Sequence, residues 1–488
     1  MALAEVRTDL IVDGQWVPPT GDGTMEIRNP ANPDEVVGQA AAASQADTVR
    51  AIEAAHAAYP AWAALSYQDR AGFLGKMVDA VQDGVEERIP RFVREHGKIK
   101  REAGIELTRL GARFEYTASL ADRLARDEEL DGPPFRTTIT RQPRGVASLI
   151  IPWNWPLSIL GAKLPQALLA GNTVVVKPAE TSPLVTMQTL KLMADALPPG
   201  VLNAVTGSVD DVGKPLIEHP LVRKIDFTGG TETGKKIMAA AAPTLKDLTL
   251  ELGGNDPAIV LDDAVIDEDA VRKMVLGSFM TSGQICMAIK RLYVHDRLYD
   301  HVLEALRAAL QRFVVGNGLD DRTTMGPLNN RRQRDWVVSL VSEARGRGAH
   351  VDELGEPLDS DELARGWFCL PTLVTGVDNS YQVVSQEQFG PVLPIIPFQT
   401  VDEAVAMAND SEYGLCSSVW SADVERAIAV GRRIEAGYTY INNHGPMAQD
   451  NRAPFGGMKH SGIGRQLGYE GVLEFLEPHS ISVSVDAG

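Results

Sequence analysis

The sequence predicts an α/β protein of two or three domains arranged around parallel sheets, and three observations carry that prediction. Between residues 147 and 242, short runs of β-formers alternate with helix-like stretches, the pattern of successive βα units. A second α/β block follows Gly254. The chain has 488 residues, more than one hydrophobic core usually fills.

The first unit runs from an apolar strand at 147–151, through a Pro/Trp/Asn loop, to a helical stretch at 160–169. The second has a strand at 173–176, the turn Lys177-Pro178-Ala179-Glu180 and a helix over 183–196. In the third, strand 202–205 leads through Thr206-Gly207-Ser208 into helix 210–218. The fourth has strand 224–227, the loop Thr228-Gly229-Gly230-Thr231 and an Ala-rich helix that stops at Ala242 before Pro243. In the second block, Leu298, Val302, Leu306, Leu310 and Phe313 recur at helical spacing. Segments 393–398, 417–420 and 438–442 read as strands, with helices between 401 and 435, and the Gly/Pro-punctuated stretch 346–371 as a surface excursion. Segments 136–141 and 480–485 alternate β-formers with polar residues. They are either exposed strands that need a partner, hence an oligomerisation arm, or ordinary edge strands.

Composition narrows the function class. At 44% hydrophobic and 23% charged residues the chain has the make-up of a soluble globular protein. A net charge of −18 opposes a nucleic-acid or anionic-membrane surface. Residues 1–12 lack a basic segment followed by an apolar core, so no secretory leader is expected. The longest uncharged run, 145–162, is broken by Pro152, Asn154 and Pro156 and reads as a buried strand-loop-helix, not a membrane span. Cys286, Cys369 and Cys416 are too few and too scattered for a disulfide framework or a zinc site. No metal is expected, and the cytoplasm is the expected compartment.

Several residues could carry chemistry. A strand ending in glycine before a helix aims backbone N–H groups and the positive end of the helix at an anion. Gly207 and the run from Gly229 to Gly234 occupy such ends, although Gly-x-Gly-x-x-Gly is absent and a glycine turn alone is more often structural. Lys177 and Glu180 sit where ribose hydroxyls could be bound, or form a solvated loop pair. Cys286 follows the turn-prone Ser282-Gly283-Gln284, where substrate can reach a thiol. An isolated cysteine, by contrast, is ordinarily buried and inert, as Cys369 and Cys416 are expected to be. Glu251 closes an apolar strand before two glycines. It is either a carboxylate in a dry cleft, suited to act as a general base, or a salt-bridged strand end.

Taken in order, Pro152-Trp153-Asn154-Trp155-Pro156, Lys177-Pro178-Ala179-Glu180, Phe227-Thr228-Gly229, Glu251-Leu252-Gly253-Gly254, Gly283-Gln284-Ile285-Cys286, Glu387-Gln388-Phe389-Gly390-Pro391-Val392 and Pro454-Phe455-Gly456-Gly457 resemble the NAD(P)-dependent aldehyde dehydrogenase superfamily over nearly the whole chain. The resemblance implies a Rossmann-type cofactor domain (1–117 and 143–252), an α/β catalytic domain (253–465) and a small β oligomerisation arm (118–142 and 466–488). It implies that Cys286 attacks the aldehyde to give a thiohemiacetal. Asn154 and the Cys286 N–H hold the oxyanion. Glu251 activates the water that hydrolyses the thioester to an acid, and Lys163 stands near the active site.

By the same resemblance Lys177 and Glu180 bind the adenine ribose, Gly229 and Gly230 lie against the pyrophosphate, Glu387 holds the nicotinamide ribose and Phe389 packs near the nicotinamide. Pro152, Trp153, Gly207, Phe227, Thr228 and Leu252 complete the cofactor contacts. NAD is the expected cofactor because Glu180 repels a 2′-phosphate, although Lys177 could tolerate NADP. The aldehyde would meet Trp155, Ser158, Ile159, Ala162, Ile285, Met287 and Phe455, a mostly apolar mouth that favours a medium aliphatic or aromatic substrate over a charged one. Arg452, in the substrate-gating loop, is either a carboxylate contact or a solvated charge. A homodimer or homotetramer is implied.

Three departures stand out: Gly230 where the family often has Ser, Gln386 where Glu is frequent, and Gln466 where many members carry Glu. Glutamine cannot relay a proton. Two alternatives compete. One is a CoA-acylating dehydrogenase, against which the retained Glu251 argues. The other is a catalytically silent binding protein on the same fold.

Overall fold

The computed structural model describes residues 6–21, 23–132 and 134–485. The expectation about a leader at residues 1–12 therefore falls partly outside the described residues. The four βα units build one half of the first large sheet and its flanks. Its eight strands run, edge to edge, 462–463, 247–251, 222–228, 146–150, 173–177, 202–204, 10–12 and 15–17. The five from Asp247–Glu251 to Leu202–Ala204 are mutually parallel, and Leu10–Val12 and Gly462–Ile463 flank them antiparallel.

The chain enters at the central strand Val146–Ile150, steps outward twice, then returns to its other side at Val222–Thr228. The order thus reverses at Val146–Ile150. Crevices at such reversals, beyond the carboxyl ends of the strands, are where this architecture binds ligands.

Both faces are covered. Ala147, Leu149, Val174 and Val176 pack into one core with the helices Tyr67–Gln82, Val85–His96, Lys100–Ser119 and Leu184–Asp195. Val146, Val175, Ile225 and Phe227 face a second core on the other side. This alternation follows the two-residue period of a strand and explains why these strands read as continuous apolar runs. The helix Lys100–Ser119 buries Ala103, Leu107, Leu110, Phe114 and Thr117, one helical stripe. The short helix Leu164–Ala170 ends on Gly171 at φ 98°, a left-handed position that glycine takes without steric cost.

A second sheet of seven strands runs 350–353, 372–375, 392–398, 289–295, 256–260, 416–420 and 438–441, all parallel except the first. The stretch 346–371 is therefore more than a surface excursion. It supplies the edge strand His350–Glu353, whose charged residues and one-sided pairing gave it no apolar signature. The two alternating segments become Phe135–Pro143 and Leu476–Ser484, which pair antiparallel with each other along nine positions, with Glu128–Gly132 on the far side. This small sheet leaves Leu130, Phe135, Ile481 and Val483 exposed.

Among the described residues no helix is long and apolar enough to cross a membrane. Leu149 is wholly buried in the central strand. Truncation to alanine should cost about 2–5 kcal/mol, visible as a lowered thermal midpoint in scanning calorimetry.

Candidate active site

Three loops meet beyond the carboxyl ends of the first sheet. The loop after Val146–Ile150 carries Asn154, the strand Asp247–Glu251 ends on Glu251, and a turn before Ile289–His295 carries Cys286. Asn154, Glu251 and Cys286 line one cavity of about 330 Å³. Trp155, Ser158, Ile159, Ala162, Ile285, Met287, Phe455 and Thr228 share its wall, so the residues expected at the substrate mouth are brought together.

The Cys286 turn is held in an uncommon backbone conformation. Thr281, Ser282 and Gly283 take φ values of 51°, 56° and 71° in succession, and left-handed non-glycine residues persist only where surroundings enforce them. Here Glu102 accepts from the Thr281 N–H at 2.7 Å, and the Ser282 hydroxyl donates to the Gly326 carbonyl at 2.7 Å. The Gln284 side chain ties Thr281 to Asn329. A side chain at Gly283 would collide with the backbone of Gly390. Glycine at 254 likewise lets the Cys286 carbonyl come close, and glycine at 456 makes room for the Glu251 carboxylate. Lys290 donates to the carbonyls of Ile285 (2.9 Å) and Cys286 (2.5 Å).

The Asn154 loop is braced from below by the helix Lys100–Ser119 and the turn before it. Glu106 accepts from the N–H groups of Leu157 (2.7 Å) and Ser158 (3.0 Å) and pairs with Lys98. Lys98 (3.2 Å) and His96 Nε2 (2.7 Å) both reach the Asn154 carbonyl. Burial, assisted by the Lys98 charge, drives His96 well below its ordinary range, so the neutral ring donates. The Asn154 amide donates to the Gln284 carbonyl at 3.0 Å, beside the Cys286 backbone.

Burial pushes the Cys286 thiol up to about 12, against the pull of Lys290 and with the Glu251 charge adding to the rise. The free thiol is therefore protonated at neutral pH. Glu251 is also raised well above the usual carboxylate range, first by burial, with Lys163 opposing and Asp226 reinforcing the rise. Its Oε1 has no protein partner. Lys163 does not line the cavity. It lies fully buried beneath it, paired with Asp226.

The residues expected to hold the cofactor surround the reversal in strand order. The loop Pro152-Trp153 follows the central strand, and Trp153 packs edge-on to Phe389 with ring centroids 5.5 Å apart. Lys177 ends its strand held only loosely, by Glu180 at 3.7 Å and the Pro178 carbonyl at 3.3 Å. Gly207 has φ 149° and crowds Ala43 and Val212. At Gly229 a side chain would strike Phe227, whereas one at Gly230, at the start of the helix Thr231–Ala241, would meet nothing within 4 Å. The buried Thr228 hydroxyl is unpartnered. Leu252 is packed on Gly234, and Glu387 accepts from the Gly254 N–H at 3.1 Å and meets Lys290 at 3.3 Å. Open space, a loosely held ammonium and an orphaned hydroxyl fit a polyanionic dinucleotide. Among the described residues no cluster could hold a metal.

The structure adds to the mouth residues that sequence reasoning missed. Ile105, Arg109, Leu110 and Arg113 reach the cavity from the helix Lys100–Ser119, and Pro446, Met447, Gln449, Asn451, Gln466 and Leu467 from the C-terminal loops. The 3.6-residue spacing of 105, 109 and 113 marks one helix face, but nothing in the sequence says what that face meets. Arg113 donates to the Ser158 carbonyl and to Gln449 at 2.9 Å, and burial draws it down to about 10. Arg109 is exposed, its guanidinium 3.5 Å from the Met447 sulfur. Arg452 is spent on Asp450. The mouth is therefore less apolar than expected.

A model of the aldehyde dehydrogenase family matches residues 16–481. Glutarate-semialdehyde dehydrogenase of Pseudomonas putida is 36% identical over 482 residues, covering 98% of each chain. Geranial dehydrogenase of Castellaniella defragrans is 38% identical, covering 97% of this chain and 98% of that one. Betaine aldehyde dehydrogenase of Staphylococcus aureus, solved with NAD+, superposes with a TM-score of 0.92 at 34% identity, covering 98% and 94% of the two chains.

Because burial holds the thiol protonated, alkylation of Cys286 by iodoacetamide in the free enzyme should quicken steadily with pH, without levelling between about pH 7 and 10. Mass spectrometry of the labelled peptide checks this. A plateau near neutral pH would mean that the thiolate is already formed.

Proposed function

The chain belongs to the aldehyde dehydrogenase family and is NAD-dependent, and on that premise we propose that Cys286, Asn154 and Glu251 divide the oxidation of an aldehyde to its acid among them. The observation that carries this reading is their convergence on one cavity with an apolar wall. The Cys286 sulfur bonds to the aldehyde carbon, and the Asn154 amide with the Cys286 N–H receives the oxygen that turns anionic. The thiol gives its proton to solvent as this bond forms, and the nearby Lys290 charge favours the thiolate.

A bound NAD+ would supply the hydride acceptor that oxidation of the thiohemiacetal to a thioester requires. Lys177 and Glu180 would hold its adenine ribose, Gly229 and Gly230 its phosphates, and Glu387 its other ribose. Pro152, Trp153, Gly207, Phe227, Thr228, Leu252 and Phe389 would shape the rest of that crevice. Glu251 then takes a proton from water as the water oxygen attacks the thioester carbon. The carbon–sulfur bond breaks and the acid leaves.

For the substrate we take an aldehyde with a short apolar chain and a distal acidic group. The apolar wall fits the chain. Arg109 at the mouth offers an exposed guanidinium to a carboxylate, and with Arg113 it opposes a cationic aldehyde. Glutarate-semialdehyde dehydrogenase among the relatives acts, by its name, on such a compound. The exposed sheet of strands 128–132, 135–143 and 476–484 supports assembly into a homodimer or homotetramer, and we retain the division into cofactor domain, catalytic domain and arm. We keep the cytoplasm as the compartment.

Steady-state assays with NAD should show the highest kcat/KM for the ω-carboxyl aldehyde, then a neutral aldehyde of equal length, then a quaternary-ammonium one. They should show turnover without CoA. Arg109→Ala should lower kcat/KM for the carboxylated substrate about ten-fold, the loss of about 1.4 kcal/mol, and leave the neutral one unchanged. Equal losses for both substrates would remove Arg109 from recognition.

Cys286→Ala should abolish NADH formation. Glu251→Gln should retain the first burst of NADH while steady turnover falls about 10²-fold or more. The steady rate of the parent should decline on acidification through a midpoint above the usual carboxylate range, as Glu251 takes up its proton.

A further inference from the structure

The cavity mouth carries a contact between an arginine and a sulfur that the acyl chemistry does not use. Arg109, on the helix Lys100–Ser119, aims its guanidinium at the Met447 sulfur, 3.5 Å away. Among the described residues this sulfur is the one hydrogen-bond partner of Arg109, which pairs with no carboxylate. Arg113, one turn on, is by contrast committed to the Ser158 carbonyl and to Gln449. Met447 sits at the tip of the turn Gly445-Pro446-Met447-Ala448, closed by the Ala448 N–H on the Gly445 carbonyl at 3.0 Å. Pro446 presets the backbone at the second position of that turn, so the sulfur faces Arg109 from a short, closed arm.

Met447 is also open to solvent, at 40% exposure. Among the described methionines only Met238 and Met458 are exposed to a like degree, and neither lines the cavity. Met287, on the same cavity, is buried, with the Tyr440 hydroxyl 3.6 Å from its sulfur. An exposed thioether is open to oxidation by a hydroperoxide to the sulfoxide. Cys286 is the slower target, because peroxides attack thiolates and burial keeps this half-buried thiol protonated. Oxidation also changes what Arg109 meets. A thioether sulfur is a weak acceptor, whereas a sulfoxide presents a polar oxygen, and hydrogen bonds from a charged guanidinium are among the stronger ones.

We propose that Met447 is an oxidation-sensitive specificity switch, whose sulfoxide captures Arg109 and withdraws it from the substrate carboxylate. The inference rests on Arg109 being the carboxylate contact. In the oxidation step a sulfur lone pair takes one oxygen of a hydroperoxide. The S–O bond forms as the O–O bond breaks, and the proton of the transferred oxygen moves to the departing one. The sulfur loses two electrons, and the peroxide is reduced to water, or to an alcohol where it carries an alkyl group. The new oxygen stands on the atom that already faces Arg109, so the guanidinium donates to it with helix and turn in place. A carboxylated aldehyde then loses its partner, whereas a neutral aldehyde, which makes no use of Arg109, does not. The change is reversible, since sulfoxides are reduced back to thioethers enzymatically.

The test treats the full-length enzyme with hydrogen peroxide and follows Met447 by peptide mass spectrometry. The parallel readout is kcat/KM with NAD for the ω-carboxyl aldehyde and for a neutral aldehyde of equal length. As one oxygen is added at Met447, the value for the carboxylated substrate should fall about ten-fold and that for the neutral one should stay within about two-fold. Methionine sulfoxide reductases for both epimers should restore the first value. In Met447→Leu the ratio of the two values should no longer respond to peroxide, nor should it in Arg109→Ala, where the guanidinium is gone. Parallel loss for both substrates, a full response in Met447→Leu, or oxidised Met447 with an unchanged ratio overturns the proposal. Should Met447→Leu fail to fold, Arg109→Ala decides: a ratio that still falls with peroxide overturns the switch. If untreated Arg109→Ala is weakened equally toward both substrates, the premise has failed. If it is weakened toward the carboxylated one alone while the oxidised parent keeps its ratio, only the switch has failed.

Discussion

Two glutamates one turn apart on a single helix hold the site together. Glu102 and Glu106, on Lys100–Ser119, are buried and face in the same direction, as residues four apart on a helix must. Glu102 fixes the backbone of the Cys286 turn, and Glu106 fixes the loop that carries Asn154. The two loops belong to different sheets and come into register because one rigid element grips both. Burying two carboxylates is costly unless each is fully hydrogen-bonded. Here the backbone N–H groups of the loops, with Lys98 for Glu106, meet that need, so the charges and the loop conformations stabilise each other.

The same economy appears in the backbone. Glycines at 254, 283 and 456 leave room where the Cys286 carbonyl, the Gly390 backbone and the Glu251 carboxylate crowd in. The left-handed run at 281–283 then has nowhere to relax. A cavity with a half-buried thiol, a buried base and an amide donor is the outcome of close backbone packing as much as of the choice of reactive groups.

Much of this was legible in the sequence, and the reason is local. The βα units announce themselves because a strand buried on both faces must be apolar and its connecting helix amphipathic, so the large parallel sheet, with Asn154 and Glu251 beyond its strand ends, could be read directly, whereas Cys286, before a strand of the second sheet, stood out only through the ordered motifs. The unread parts depend on tertiary meetings. Arg109 and Arg113 sit on a helix with an ordinary amphipathic pattern, and only packing shows that one side of it faces the substrate mouth. The edge strand His350–Glu353 pairs on one side and needs no apolar run. Asp226, inside the strand read at 224–227, carried no signal of its own, and its buried pairing with Lys163 and Gln466, both distant in sequence, shows only in the fold.

The strand that ends on Glu251 is completed late. Its outer neighbour, Gly462–Ile463, joins it antiparallel, and residues 455, 456 and 466 close the cavity around the carboxylate. A ribosome reaches these residues some two hundred positions after it has made Glu251. Without them the strand that ends on Glu251 has an unpaired outer edge. The cavity around the carboxylate is thereby complete only once this C-terminal segment has joined the sheet.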